Sequence, residues 1–81
     1  MGLVAVSAYI LIQTEAGKVM RVAEDVRAIE GVVACEAVTG AYDVIARGEA
    51  ETIDDLGRLV LSRVQTVDGI TRTHTCTVVH P

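Results

Sequence analysis

The stretch AVTGAYDVIARG, residues 37–48, decides how this chain is read, because it sets Thr39, Gly40 and Ala41 between two segments rich in strand formers. Gly40 can take a positive φ at little steric cost, so a Gly40-Ala41 turn reverses the chain here. Residues 32–38 and 42–48 then form a hairpin, and the question becomes what flanks it. Tyr42 and Asp43 follow the turn directly, although a simple reversal needs only the glycine.

On the N-terminal side, Val4, Val6, Ala8, Ile10 and Ile12 alternate with Ala5, Ser7, Tyr9, Leu11 and Gln13, the period of a strand with one strongly apolar face. Val19, Val22, Ala23, Val26 and Ile29 then recur at helical spacing, with Lys18, Arg21, Glu24, Asp25 and Arg27 mostly opposite them. This predicts a surface helix of about four turns, closed by Gly31. On the C-terminal side, Thr52 is a candidate N-cap whose hydroxyl can accept from the backbone near Asp55, and Asp54 and Asp55 suit the positive end of a helix. Ile53, Leu56, Leu59, Val60 and Val64 supply its apolar stripe, Asp68-Gly69 ends it, and residues 70–79 make the last strand.

The order is βαββαβ. With right-handed crossovers this is the split βαβ, an α+β ferredoxin-like fold: one four-stranded antiparallel sheet with two helices on one face. Residues 1–81 form one domain. In the usual strand order the second and fourth strands are the edges, so Cys35 and Cys76 stand three strand spacings, roughly 14 Å, apart, beyond disulfide reach. Both are expected to be buried reduced thiols.

Strands two and three carry apolar groups on both faces, and the last strand puts Thr71, Thr73, Thr75 and Thr77 on one side and Ile70, Arg72, His74, Cys76 and Val78 on the other. A sheet apolar on both faces is usually covered on both. A second copy stacked about 10 Å away would cover it, giving a homodimer. Eighty-one residues without Trp or Phe build only a small core, and association compensates for that. The Thr row is one candidate for the stacked face.

A net charge of −4 with seven Lys and Arg argues against a nucleic-acid surface. Tyr9 and Tyr42, without a basic groove, do not make an RNA-stacking platform. Residues 2–12 are too short an apolar run to cross a membrane, and no basic residue precedes them as in a signal peptide. A cytoplasmic location with no membrane partner is the expectation. The polar groups that could do chemistry, Ser7, Cys35, Ser62, His74, Cys76 and His80, form no recognisable catalytic set, and Asp54 with Asp55 is better explained by the helix start than by a metal. No cofactor and no enzymatic activity are expected.

The hairpin is explained by a resemblance. VTGAYD, the strand VIARG after it, and the closing segment VDGITRTHTCTVV resemble the ligand-sensing domain of the leucine-responsive and asparagine-responsive (Lrp/AsnC) transcriptional regulators, also called the regulation-of-amino-acid-metabolism domain. Thr39, Gly40 and Asp43 match the family's Thr-Gly-x-x-Asp hairpin, and Gly69, Ile70, Thr73 and Thr75 its closing strand. The family's N-terminal DNA-binding half has no counterpart in these residues, so the chain reads as a stand-alone sensing domain. The resemblance implies dimers through stacked sheets, rings such as octamers or decamers, amino-acid effectors held where dimers meet, and modulation of full-length regulators of the family.

It also gives Tyr42 and Asp43 a purpose. Backbone N–H groups at the glycine turn can receive a carboxylate, an aspartate can pair with an α-ammonium, and together they recognise an amino-acid zwitterion. The expected ligand site is therefore Thr39, Gly40, Ala41, Tyr42 and Asp43, with Tyr42 as a cap, joined by Thr73 and Thr75. Three other readings share the topology: an assembly module without a ligand, an enzyme of the dimeric α+β barrel type, for which His74 is the available group, and an ACT-type amino-acid-binding domain.

Overall fold

The computed structural model describes residues 5–79; Val4 of the expected first strand and His80 lie outside them. The chain runs β1 Val6–Thr14, α1 Val19–Arg27, β2 Val32–Ala37, β3 Val44–Ala50, α2 Ile53–Arg58 with a π-helical continuation Leu59–Val64, and β4 Ile70–Thr77. The strands lie in the order β2-β3-β1-β4, each antiparallel to its neighbours. This is the ferredoxin-like βαββαβ arrangement expected from the hairpin and its flanks.

One face of the sheet is the core. Ala8, Ile10 and Ile12 of β1, Cys35 of β2, and Val44 and Ala46 of β3 meet Val22, Ala23 and Val26 of α1 and Leu56, Leu59, Val60 and Val64 of the second helix in one buried cluster. Both helices therefore cover the same side. Burial of such aliphatic side chains contributes about 1.5–3 kcal/mol each before ordering costs are subtracted.

The helices are shorter than their periodicity suggested. After α1 the Ile29 N–H turns onto Val26 O at 3.1 Å, a tighter i→i−3 contact that ends the α-helix while carrying Ile29 into the core. Thr52 caps α2 as expected, its Oγ1 accepting the Asp55 N–H at 3.0 Å. Past Arg58 the helix widens, and the Gln65 N–H reaches Val60 O at 2.9 Å, the i→i−5 bond of a π-turn. Leu59, at its start, lies directly above β3: a Cβ on Gly48 would be 2.9 Å from Leu59 Cδ2.

Register corrects two expectations and shows a bulge in β2. Thr73, Thr75 and Thr77 stand opposite Ile12, Ile10 and Ala8 of β1, and paired residues share a face, so the Thr row points to the helix side and is not the surface available for stacking. The open face instead carries Tyr9, Leu11 and Ile45 with Arg47, His74 and Cys76. Cys76 is for that reason exposed, whereas Cys35 is buried. In β2, Val32 faces Gly48 and Ala34 faces Arg47, which makes Val33 the extra residue of a bulge; it does not share the buried face of Cys35 and is 56% exposed.

Candidate functional site

The reversal between β2 and β3 is longer than a two-residue turn and spans residues 38–43. The Val38 N–H donates to Asp43 O at 2.9 Å, closing the loop, and the Asp43 N–H donates to Ile12 O at 2.9 Å, tying it to β1. Gly40 takes φ +135° at the tip, with no atom within 4 Å of where a Cβ would stand. A glycine is needed there for its backbone conformation and not for space.

Side chains fix the loop further. Asp43 Oδ2 accepts the Thr14 N–H at 2.8 Å and the Thr14 hydroxyl at 3.4 Å, while Gln13 Nε2 donates to Ala41 O at 3.0 Å. The Tyr42 ring meets His74 of β4 edge to face, centroids 5.8 Å apart and planes at 72°. Hydrogen bonds with Ile12, Gln13 and Thr14 of β1 and one ring contact from β4 thus hold the loop.

Thr39, Gly40 and Asp43 line a shallow groove of about 900 Å³ with Val38, Val19 and Met20. The groove has an apolar wall from the start of α1, a carboxylate, and the peptide groups of the glycine turn. That combination can hold an amine and a carboxylate at one end and an aliphatic side chain along the other. Among the described residues Asp43 Oδ1 receives no hydrogen bond, so one carboxylate oxygen remains available.

Of the residues expected from sequence, the loop brings Thr39, Gly40, Ala41, Tyr42 and Asp43 together. Thr73 and Thr75 do not join the loop and lie by the second helix: Thr73 Oγ1 accepts from Gln65 Nε2 at 2.9 Å, and Thr75 lines a groove with Leu56 and Val60. Sequence reasoning missed Thr14, Gln13, His74, Val19 and Met20. His74 and Gln13 reach the loop only through the pairing of β4 and β1, and no local pattern signals that.

A second groove, about 680 Å³, lies between Gly31 and the second helix and is lined by Glu30, Glu49, Glu51, Asp55, Arg58 and Arg63 among others. Its Arg58 is already paired with Asp55 at 2.9 Å. On the open face, Arg47 donates to Tyr9 Oη at 2.8 Å and Ser7 Oγ at 3.2 Å, lies 5.2 Å from the Tyr9 ring centroid and meets Glu49 at 3.6 Å. Burial pushes the Cys35 thiol above its ordinary value against the opposing pull of Arg27.

The family model of the Lrp/AsnC ligand binding domain matches residues 7–81, nearly the whole chain. The chain belongs to that family. It is 32% identical over 68 residues to an uncharacterized HTH-type transcriptional regulator of Pyrococcus abyssi, a match covering 84% of this chain and 43% of that protein. The domain thus spans less than half the length of this regulator. Among solved structures, a hypothetical protein of Pyrococcus horikoshii superposes with a TM-score of 0.86 at 32% identity, covering 94% of this chain and 92% of that one. A transcriptional regulator of Neisseria meningitidis, solved as a complex with L-Met, shares the fold with a TM-score of 0.79 at 21% identity, covering 93% of this chain and 50% of that one. Among the described residues no helix is long and apolar enough to cross a membrane.

Proposed function

We propose that this Lrp/AsnC ligand binding domain senses an amino acid at the 38–43 hairpin and transmits occupancy through its assembly with other copies. The observation that carries the reading is the meeting of Asp43, with one free carboxylate oxygen, and the Gly40 turn in a groove whose other wall is the aliphatic Val19 and Met20. Asp43 pairs with the α-ammonium, the turn's peptide N–H groups receive the α-carboxylate, and Thr39, Ala41 and Tyr42 frame the ligand. A protein of this fold solved with L-Met supports an amino acid as effector. Within one chain Thr73 and Thr75 cannot reach the hairpin, so they join a ligand only when contributed by a neighbouring protomer.

The partner is a second copy stacked on the open face, where Tyr9 is 42% exposed beside Leu11 and Ile45. Dimers assemble further into rings, and full-length regulators of the family are the partners through which the domain modulates transcription from a cytoplasmic location. The domain itself does not contact DNA: its charge is −4, and nucleic-acid surfaces are basic. No reaction is assigned to it. His74, the group an enzyme would use, faces the Tyr42 ring, and no carboxylate among the described residues hydrogen-bonds to it.

One observation favours a second reading, a purely structural assembly module: Asp43 already has a structural task in holding Thr14. A thermal-shift screen of the common amino acids, with mass followed by light scattering, separates the two. The sensor reading expects a concentration-dependent rise in Tm for a subset of amino acids. A flat response across all of them, with the oligomer intact, leaves the structural module.

A further inference from the structure

The two edges of the sheet are treated differently. In β2 the pairing with β3 leaves Cys35 with its peptide groups pointing away from the sheet, and Arg27 Nη2 caps the Cys35 carbonyl at 2.8 Å. The bulge at Val33 further breaks the regularity of that edge. Arg capping and a bulge are both ways of closing an edge to other strands.

β4 has neither. The Val78 N–H donates to Ser7 O at 2.8 Å, and in an antiparallel ladder only alternate residues bond to one neighbour. With the register of Tyr9 opposite Cys76 and Leu11 opposite His74, the even-numbered residues of β4 satisfy β1. The peptide groups of Thr73, Thr75 and Thr77 therefore face outward, unpaired by any strand among the described residues. These three are β-branched, and β4 contains no Pro or Lys to blunt its edge. Alongside, Ile53 and Leu61, 57% and 65% exposed, border an apolar groove of about 300 Å³ that Thr75 and Thr77 also line.

We propose that β4 pairs antiparallel with β4 of a second copy, joining two sheets edge to edge into one of eight strands. The partner is the same chain because the edge is self-complementary: a two-fold axis at Thr73 or at His74 matches outward Thr peptide groups with outward Thr peptide groups in both cases. Cross-strand Thr pairs on the helix side are favourable, and the same axis brings the exposed Ile53 and Leu61 of the two second helices toward each other along the Thr row. About five paired residues span only some 17 Å. Such a contact buries less than the ~1,200 Å² of a stable independent interface, so it forms between units already assembled or at high concentration. It is a separate contact from the stacked open face of the proposed function and does not depend on it.

The test is amide hydrogen exchange by NMR or mass spectrometry on wild type across a concentration series, with Thr75→Pro and Leu11→Arg measured for mass by ultracentrifugation. The expected result is protection of the Thr73 and Thr75 amides in the assembled protein that disappears on dilution. In Thr75→Pro the outward N–H is lost while the β1 ladder is untouched, a position where strand proline is tolerated, and the largest assembly should fall by half in mass. Leu11→Arg should remove the stacked contact and leave the edge contact. Thr73 and Thr75 amides that exchange as free peptide groups at concentrations where wild type is fully assembled overturn the proposal, whatever the variants do. So does a folded Thr75→Pro of unchanged mass. Loss of mass in Leu11→Arg with protection retained at Thr73 and Thr75 supports it, and an unchanged mass in Leu11→Arg contradicts the stacking reading alone.

Discussion

Asp43 Oδ2 accepts the backbone N–H of Thr14 at 2.8 Å across 29 residues of sequence, so the hairpin tip is fastened to the far end of β1. Removing the carboxylate therefore weakens the fold as well as any ligand. Asp43→Ala is expected to cost at most about 1.5–3 kcal/mol, the range for a hydrogen bond to a charged group, and less where water replaces it. Asp43→Asn retains an acceptor for Thr14 and should keep most of that stability. Urea denaturation of both variants checks the order, and an Asp43→Ala as stable as wild type contradicts the fastening role.

Thr52→Ala should destabilise the domain by about 1 kcal/mol, because the Asp55 N–H loses its acceptor at the start of a helix whose regular part, Ile53–Arg58, is only six residues long. The drop in denaturation midpoint measures it, with Thr52→Ser as the variant that restores the cap.

These two residues also mark what the sequence could disclose. Thr52 was legible because a cap is a local event: one hydroxyl, three residues, and two acids behind it. The strand and helix order was legible for the same reason, since period-2 and helical spacing report each element alone. The fastening of Asp43 was not, because its partner Thr14 lies 29 residues away in sequence. Nor was the side taken by the Thr row, because which face of β4 meets the helices is set by its register with β1, a relation between residues some sixty positions apart. The bulge at Val33 was hidden for a comparable reason, since it is defined only by the pairing of β2 with β3. The five hairpin positions lie together because they are neighbours in sequence; Thr73 and Thr75 were grouped with them by family likeness and lie elsewhere in the protomer.

Gly48→Ala should cost about 1–3 kcal/mol, the usual penalty for overpacking. Its new methyl would stand 2.9 Å from Leu59 Cδ2, and Leu59 is itself buried at the head of the π-turn. Pairing it with Leu59→Ala tests the mechanism: the double variant should be more stable than the sum of the single costs. Strict additivity would show that the two sites do not touch in solution.

The two thiols should differ in reactivity. Exposed Cys76 is expected to be alkylated by iodoacetamide quickly at mildly alkaline pH, and buried Cys35 slowly, since alkylation requires a thiolate and burial raises the Cys35 pKa. The sign of the linkage follows from that raised value. Cys35 contributes stability fully present below the ordinary thiol pKa of about 8.5, and this contribution falls as pH rises through the higher folded value. Cys35→Ser, which removes the titrating thiol, should flatten this alkaline decline. Peptide mapping after timed alkylation checks the first part, and equal labelling of both cysteines contradicts it.

Sensing at the hairpin is tested most directly by isothermal titration of the amino acid that raises Tm most into wild type and Asp43→Asn, each shown to be folded by circular dichroism. Asn keeps the bond to Thr14 but cannot pair as a charge with the α-ammonium. Loss of a charge-assisted hydrogen bond of about 1.5–3 kcal/mol weakens binding roughly 10- to 150-fold. The account predicts saturable binding to wild type and a loss of that size in the folded variant; binding to Asp43→Asn as tight as to wild type would contradict it.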